Sequence, residues 1–224
     1  AAPGLKADAT FMLDAVRNHT RTLQFADDTL KDSEDFMLKA MDISVDTLAH
    51  ISSRLQHDDE FFVQAGLKNL NALGYAAEDV LGNYGVVEHI QENLNVVHED
   101  HRIYITDRQK ALRVLKCARD AFPLVSKDLY GDKDVMLEAW KEDMDIRDET
   151  CPFFECDEAL YNDEDFMFKL LVKVPSVAKD ALELHTGNGF SLAFYEEACR
   201  ENPQLRWTLP RKVLVALVGK LIDV

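Results

Sequence analysis

Residues 33–40, with the sequence Ser-Glu-Asp-Phe-Met-Leu-Lys-Ala, decide the fold because closely similar stretches lie 25 residues before and 25 residues after them. Residues 8–15 read Asp-Ala-Thr-Phe-Met-Leu-Asp-Ala, and residues 58–65 read Asp-Asp-Glu-Phe-Phe-Val-Gln-Ala. Self-similarity at a fixed period of this size is the sequence signature of a repeat architecture. The chain is therefore predicted to consist of tandem copies of one small unit.

The apolar residues within a unit recur at helical spacing. In the first unit they form two groups, which are Phe11, Ala15 and Val16, and then Leu23, Ala26 and Leu30. This spacing predicts two helices per unit, each with one apolar stripe. Helices this short cannot bury both stripes within one pair, so each unit must stack on its neighbours, as in a solenoid.

The register of the repeat can be followed along the whole chain by a pair of apolar residues six positions apart. It places unit starts at residues 11, 36, 61, 86, 111, 135, 166, 190 and 215. The pattern predicts an all-α protein, an α-solenoid of about eight tandem two-helix units of roughly 25 residues plus a closing C-terminal helix. Nine Gly and six Pro are few for an all-β chain of this length.

The domain organisation follows from this register as a single helical-repeat domain, residues 1–224. Its predicted parts are regular units at 8–82, degenerate units at 83–131, an insertion-bearing unit at 132–162, further units at 163–209 and a terminal helix at 210–224.

A capping residue stands three positions before the first apolar residue of most units. These predicted helix N-caps are Asp8, Ser33, Asp58, Asn83, Asp132 and Asp163. The repeat also predicts which side chains are buried, namely Phe11, Phe36, Phe61, Ala15, Ala40, Ala65, Leu23, Leu48, Leu73, Leu30 and Leu55.

The recurring pattern Asp-x-x-Phe-hydrophobic-hydrophobic-x-Ala, followed by Leu-x-x-Ala and another Asp, resembles the tandem repeats described as domain of unknown function 4116. The resemblance is best over residues 8–82, recognisable at 132–140 and 163–171, and weak between 86 and 125. The resemblance implies a helical-repeat fold and supplies no catalytic residue.

The charge balance argues against nucleic-acid binding. Asp and Glu number 41 against 25 Lys and Arg, which gives a formal charge of −16. Such a chain repels phosphate backbones, and its basic groups form no continuous stripe.

The sequence predicts no transmembrane segment, because its longest apolar run, residues 213–222, is about half the length that spans a bilayer. We expect a soluble protein of unknown compartment. The Ala1 start fits either an end left by processing, as in an organellar or exported protein, or the first residue of an expressed piece.

An insertion between Val135 and Phe166 contains two cysteines around a proline and two aromatics. Cys151 and Cys156 could close a small disulfide loop that presents Phe153 and Phe154 to a partner. The alternative is an ordinary longer loop with reduced thiols. Zinc is disfavoured because no second Cys or His pair lies at finger spacing.

The fourth unit contains two histidines separated by acids, His98 and His101. The group can be drawn as a metal site or as an acid–base pair. The segment is polar, however, so we interpret it as a solvated loop.

The final helix is unusually apolar for the end of a repeat stack, which normally has a polar face. Leu217, Leu221 and Ile222 lie on it and either pack along the preceding helices or dock onto another chain.

The function predicted from these features is a non-enzymatic scaffold that binds another protein. The alternative is an accessory structural subunit of a large complex, such as an organellar membrane complex, and an uncharacterised enzyme around His98 and His101 is a third hypothesis. The Gly-rich nucleotide-binding, nucleophile-elbow and HExxH motifs are absent from the sequence. We therefore assign no catalytic residue, no cofactor and no metal.

Overall fold

The computed structural model describes residues 3–95, 104–118, 121–140, 152, 155–184 and 189–222, and only the backbone of residues 3, 94, 95, 184 and 219–222. The described chain is mostly helical, and an isolated parallel bridge between Ile105 and Val125 is its one piece of β-type pairing. The all-α prediction is confirmed. In the described part of the chain, no helix is long and apolar enough to cross a membrane.

The fifteen described α-helices share a common size of one to three turns. In chain order they are α1 (Pro3–Lys6), α2 (Ala9–Asn18), α3 (Asp28–Lys31), α4 (Glu34–Ile43), α5 (Ser53–Gln56), α6 (Asp59–Lys68), α7 (Glu78–Gly82), α8 (Tyr84–Asn95), α9 (Arg108–Cys117), α10 (Lys133–Ala139), α11 (Glu164–Lys173), α12 (Ala178–Leu184), α13 (Leu192–Glu201), α14 (Leu205–Thr208) and α15 (Arg211–Ile222).

The first three units repeat the same local structure at intervals of 25 residues. A ten-residue helix (α2, α4, α6) is followed by a six-residue 3₁₀ helix, at Thr20–Phe25, Val45–His50 and Leu70–Tyr75. A one-turn helix (α3, α5, α7) then completes the unit.

The second segment of each unit therefore differs from the continuous helix that the sequence predicts. It is broken at Ala26, Ile51 and Ala76, whose ψ angles of 153°, 152° and 155° are extended. Apolar residues three and four positions apart line one side of a 3₁₀ helix followed by a helical turn as well as one side of an α-helix. Spacing alone could not separate the two.

The predicted N-caps are confirmed for five helices. Each cap oxygen accepts from the backbone N–H three residues later, at 2.9–3.4 Å, in Asp8, Ser33, Asp58, Asp132 and Asp163. Asn83 instead accepts from the Gly85 N–H at 3.1 Å. Much of the negative charge of the chain thus lies at helix N-termini, where the helix dipole favours it.

Backbone hydrogen bonds join consecutive units at equivalent positions. The N–H groups of Asp27, Ser52 and Ala77 donate to the carbonyl oxygens of residues 6, 31 and 56, at 2.9, 3.1 and 2.8 Å. Each bond links the start of a one-turn helix to the end of the corresponding helix one unit earlier. Stacking therefore follows the 25-residue period down to single backbone groups.

Polar side chains form a second set of links between neighbouring units. Lys68 Nζ donates to Asp42 Oδ1 at 2.9 Å, and the Tyr75 hydroxyl donates to Asp46 Oδ1 at 2.6 Å, which lowers the pKa of Asp46. Arg54 Nε donates to Asp32 at 2.9 Å. In each case a later unit reaches back to an acid of the earlier one. Such partly exposed pairs contribute little stability individually.

The burial predictions are confirmed at eight of the predicted positions, which are Phe36, Phe61, Ala40, Ala65, Leu23, Leu48, Leu73 and Leu55. They are wrong at Phe11, which is 42% exposed, and Ala15 and Leu30 are only half-buried. These three lie on the side of the first unit where the described chain supplies only the one-turn helix α1.

The chain divides into two compact units, residues 1–125 and 126–224. In the first, α2, α4, α6 and α8 pack in succession and α9 packs on the 3₁₀ helix Leu70–Tyr75. In the second, α10 packs on α11, α11 on α13 and α13 on α15. The single 1–224 repeat domain stays a prediction.

The capping residues correct the predicted register in three later helices. Asp107 caps α9 through the Lys110 N–H and Ser191 caps α13 through the Phe194 N–H, so these residues occupy the positions predicted for residues 111 and 190. Val213, buried and third in α15, takes the place predicted for Val215. Pairs of apolar residues six apart shift register wherever a unit is shorter or longer than 25 residues.

Candidate interaction surfaces

Most residues of the predicted site lie outside the described residues. These are Cys151, Phe153, Phe154, His98 and His101, so the disulfide, the aromatic loop and the histidine site stay predictions. Leu217 is half-buried on α15, and Leu221 and Ile222 lie within that helix, where only the backbone is described. Among the described residues, no group of three His, Cys, Asp or Glu side chains could hold a metal ion.

Cys156 is a buried free thiol. Its burial raises the pKa of the thiol to about 12, although a hydrogen bond with Tyr161 acts in the opposite direction. Since the thiolate is the reactive form, this cysteine is a poor nucleophile near neutral pH.

We expect Cys156 in the native protein to react with iodoacetamide at pH 7.5 at least about tenfold more slowly than in the unfolded chain, because both access and ionisation are suppressed. Mass spectrometry of the labelled peptides measures both rates. Labelling after unfolding without reductant also tests the predicted Cys151–Cys156 disulfide, since only a free thiol is alkylated there. Equal native and unfolded rates would contradict the assigned burial.

A surface of exposed apolar side chains lies on α14 and α15. Trp207 is 88% exposed, Val215 64% and Val218 54%, and these three residues are called the terminal surface below. Large apolar groups of this kind mark interaction sites when they occur together rather than singly.

The local fold explains why Trp207 faces solvent. Leu205 and Leu209 lie four positions apart and are both buried, so the short helix α14 turns that side to the core and Trp207 to the opposite side. On α15, Val213 is buried while Leu214 is half-buried.

The terminal surface is also basic, in contrast to the rest of the chain. Residues 202–222 contain Arg206, Arg211, Lys212 and Lys220 and no acidic residue. The first three of these side chains are exposed. A partner that meets this surface is therefore favoured by negative charge around an apolar centre.

A second apolar surface lies on the first unit. It is formed by Leu5, Phe11 and Phe25, with Phe25 59% exposed, and is called the first-unit face below. Two exposed acids belong to the same unit, Asp8 and Asp27. Hydrogen bonds from the Thr29 hydroxyl and N–H lower the pKa of Asp27, so this carboxylate is ionised near neutral pH.

A groove of about 560 Å³ separates α6 from α8. Val63, Leu67 and Val86 line it with apolar groups, and Glu60 and His89 are among its polar lining residues. It gives a third, smaller concave surface in the regular part of the repeat.

Sequence reasoning missed Trp207, Val218 and Phe25 as surface residues. Val218 had a usable signal, because counting from the helix start places it on the side of α15 opposite α13. Trp207 and Phe25 had none, because a lone aromatic in a short segment is as often buried as exposed.

Comparison with known proteins gives one finding, on the first two units. No curated protein and no solved structure matches the chain significantly. Residues 8–48, which run from the N-cap of α2 to the 3₁₀ helix of the second unit, match the family described as domain of unknown function (DUF4116). The resemblance that the repeat pattern indicates is thus confirmed over this segment of the chain.

Proposed function

We propose that this chain is a non-enzymatic helical-repeat scaffold of the α-solenoid type, with about eight stacked units, that binds another protein through the terminal surface. The observation that carries the proposal is Trp207, a tryptophan 88% exposed beside two exposed valines. Tryptophan is among the residues most enriched at binding hot spots, where its large apolar area is desolvated by the partner.

The remaining surface supports the same choice of binding site. Acids of the regular units cap helices or pair with donors of the next unit, as Asp42 does with Lys68. Groups already engaged in stacking offer a partner little that is specific, whereas the terminal surface combines apolar area with three exposed basic side chains.

The test is quantitative affinity purification from the native source with the wild-type chain and the double variant Trp207→Ser, Val218→Ser. We expect the variant to lose its main partner at least about tenfold, since hot-spot truncation costs 2 kcal/mol or more. Tyr84→Ser, which removes another exposed aromatic on α8, is the matched control and should retain the partner. Equal recovery by all three proteins would show that the terminal surface is not the binding site.

The same surface would suit an accessory subunit that stays packed in a larger complex. Size-exclusion chromatography of a native extract separates the two: a permanent subunit elutes only with the complex, and a scaffold also elutes free. The enzyme hypothesis depends on His98 and His101. Elemental analysis and a His98→Ala, His101→Ala variant test it.

A further inference from the structure

We infer that one partner of the terminal surface is a second copy of this chain, bound head to tail through its first-unit face. The inference rests on the proposed function in using the same terminal surface. Three observations carry it: the equivalence of repeat positions, the front side of α15 and the opposite charges of the two surfaces.

The repeat itself shows what the first-unit face is built to contact. Phe36 and Phe61 occupy the position of Phe11 in the next two units and are 3% and 0% exposed. α4 packs on α2 and α6 packs on α4. Phe11 is thus a stacking residue on a side where the described chain has only α1.

Phe25 belongs to the same stacking side. Its equivalent two units later is Tyr75, whose hydroxyl reaches back to Asp46 of the preceding unit at 2.6 Å. An aromatic at this position therefore contacts the unit before it. In the first unit, the aromatic is a phenylalanine with more than half of its surface exposed.

α15 presents the complementary side. Counted from the third residue of each helix, Val218 corresponds to Met41 and Leu214 to Met37, and both methionines are buried in α4, where α6 follows. Leu214 is half-buried and Val218 is more than half exposed. This side of α15 is where the repeat would place the next ten-residue helix, and α2 of another copy supplies one.

Charge selects the head-to-tail orientation. The terminal surface is surrounded by Arg206, Arg211 and Lys212, whereas Asp8 and Asp27 accompany the first-unit face. Pairing two terminal surfaces would bring like charges together, which is unfavourable, while pairing opposite ends joins opposite charges. Because the two contacting surfaces differ, the interface is heterologous and every pair leaves one surface of each kind for further copies.

The test combines two single-surface variants, Phe25→Asp and Trp207→Asp, and both residues are exposed enough to be replaced without removing core packing. In analytical ultracentrifugation the wild-type chain should show a mass that rises with concentration. Each variant alone should associate at least about tenfold more weakly, and Tyr84→Asp should behave as wild type. A 1:1 mixture of the two variants should form dimers and nothing larger, because each retains one intact surface.

Several results would overturn the inference. The wild-type chain could stay monomeric up to about 0.5 mM, where even millimolar affinity populates a detectable dimer. Alternatively, Trp207→Asp could abolish association while Phe25→Asp leaves it unchanged, which indicates two terminal surfaces in contact. If the chain is monomeric but Trp207→Ser still loses its captured partner, the head-to-tail pairing is wrong and the proposed function stands.

Discussion

Replacing Phe61 by alanine should lower the free energy of unfolding by roughly 3 to 5 kcal/mol, whereas the same change at Phe11 should cost only about 1 kcal/mol. The two residues hold the same position in their units, and their N–H groups accept the same cap, from Asp58 and Asp8. They differ in burial: Phe61 is fully buried between neighbouring units and Phe11 is 42% exposed. Truncation of Phe61 therefore removes packing on both sides and leaves a cavity.

Urea denaturation followed by circular dichroism measures both free energies. The protein concentration must lie below the range of self-association, since binding to the folded state raises apparent stability. Equal losses for Phe11→Ala and Phe61→Ala would show that the first unit is covered in the same way as the third, contrary to the structure.

Asn71→Ala is expected to lower the free energy of unfolding by roughly 2 to 4 kcal/mol, because Asn71 satisfies backbone groups of a segment more than thirty residues away. Its Nδ2 donates to the Tyr104 carbonyl oxygen at 3.0 Å, and its Oδ1 accepts from the Thr106 N–H at 3.1 Å and more weakly from the Asp107 N–H at 3.4 Å. Asn71 is itself buried. The side chain thus ties the third unit to the segment that leads into α9.

The matched control is Asn18→Ala, which removes an exposed asparagine that bonds only to the Asp14 carbonyl of its own helix. It should change stability by about 0.5 kcal/mol or less. Hydrogen exchange gives a local readout, since the Thr106 amide should lose protection in Asn71→Ala alone. If both variants lose similar stability and this amide is unaffected, Asn71 is not the link that the structure indicates.

The sequence by itself determined the period, the class of secondary structure and most helix starts. Short-range physics is sufficient for these features. A capping oxygen such as that of Asp58 bonds three residues away, and the apolar spacing that follows Phe61 has the helical period. Where the cap and the apolar pattern disagreed, at α9 and α13, the caps Asp107 and Ser191 gave the correct helix start.

Only the tertiary structure decided which equivalent residues are buried and which form a surface. Phe11 and Phe61 have the same local sequence context, yet their exposure depends on a neighbouring unit 25 residues away. The break at Ala26, the link made by Asn71 and the outward position of Trp207 likewise depend on contacts between segments. Burial is a property of packing against distant parts of the chain, so no local pattern of residues encodes it.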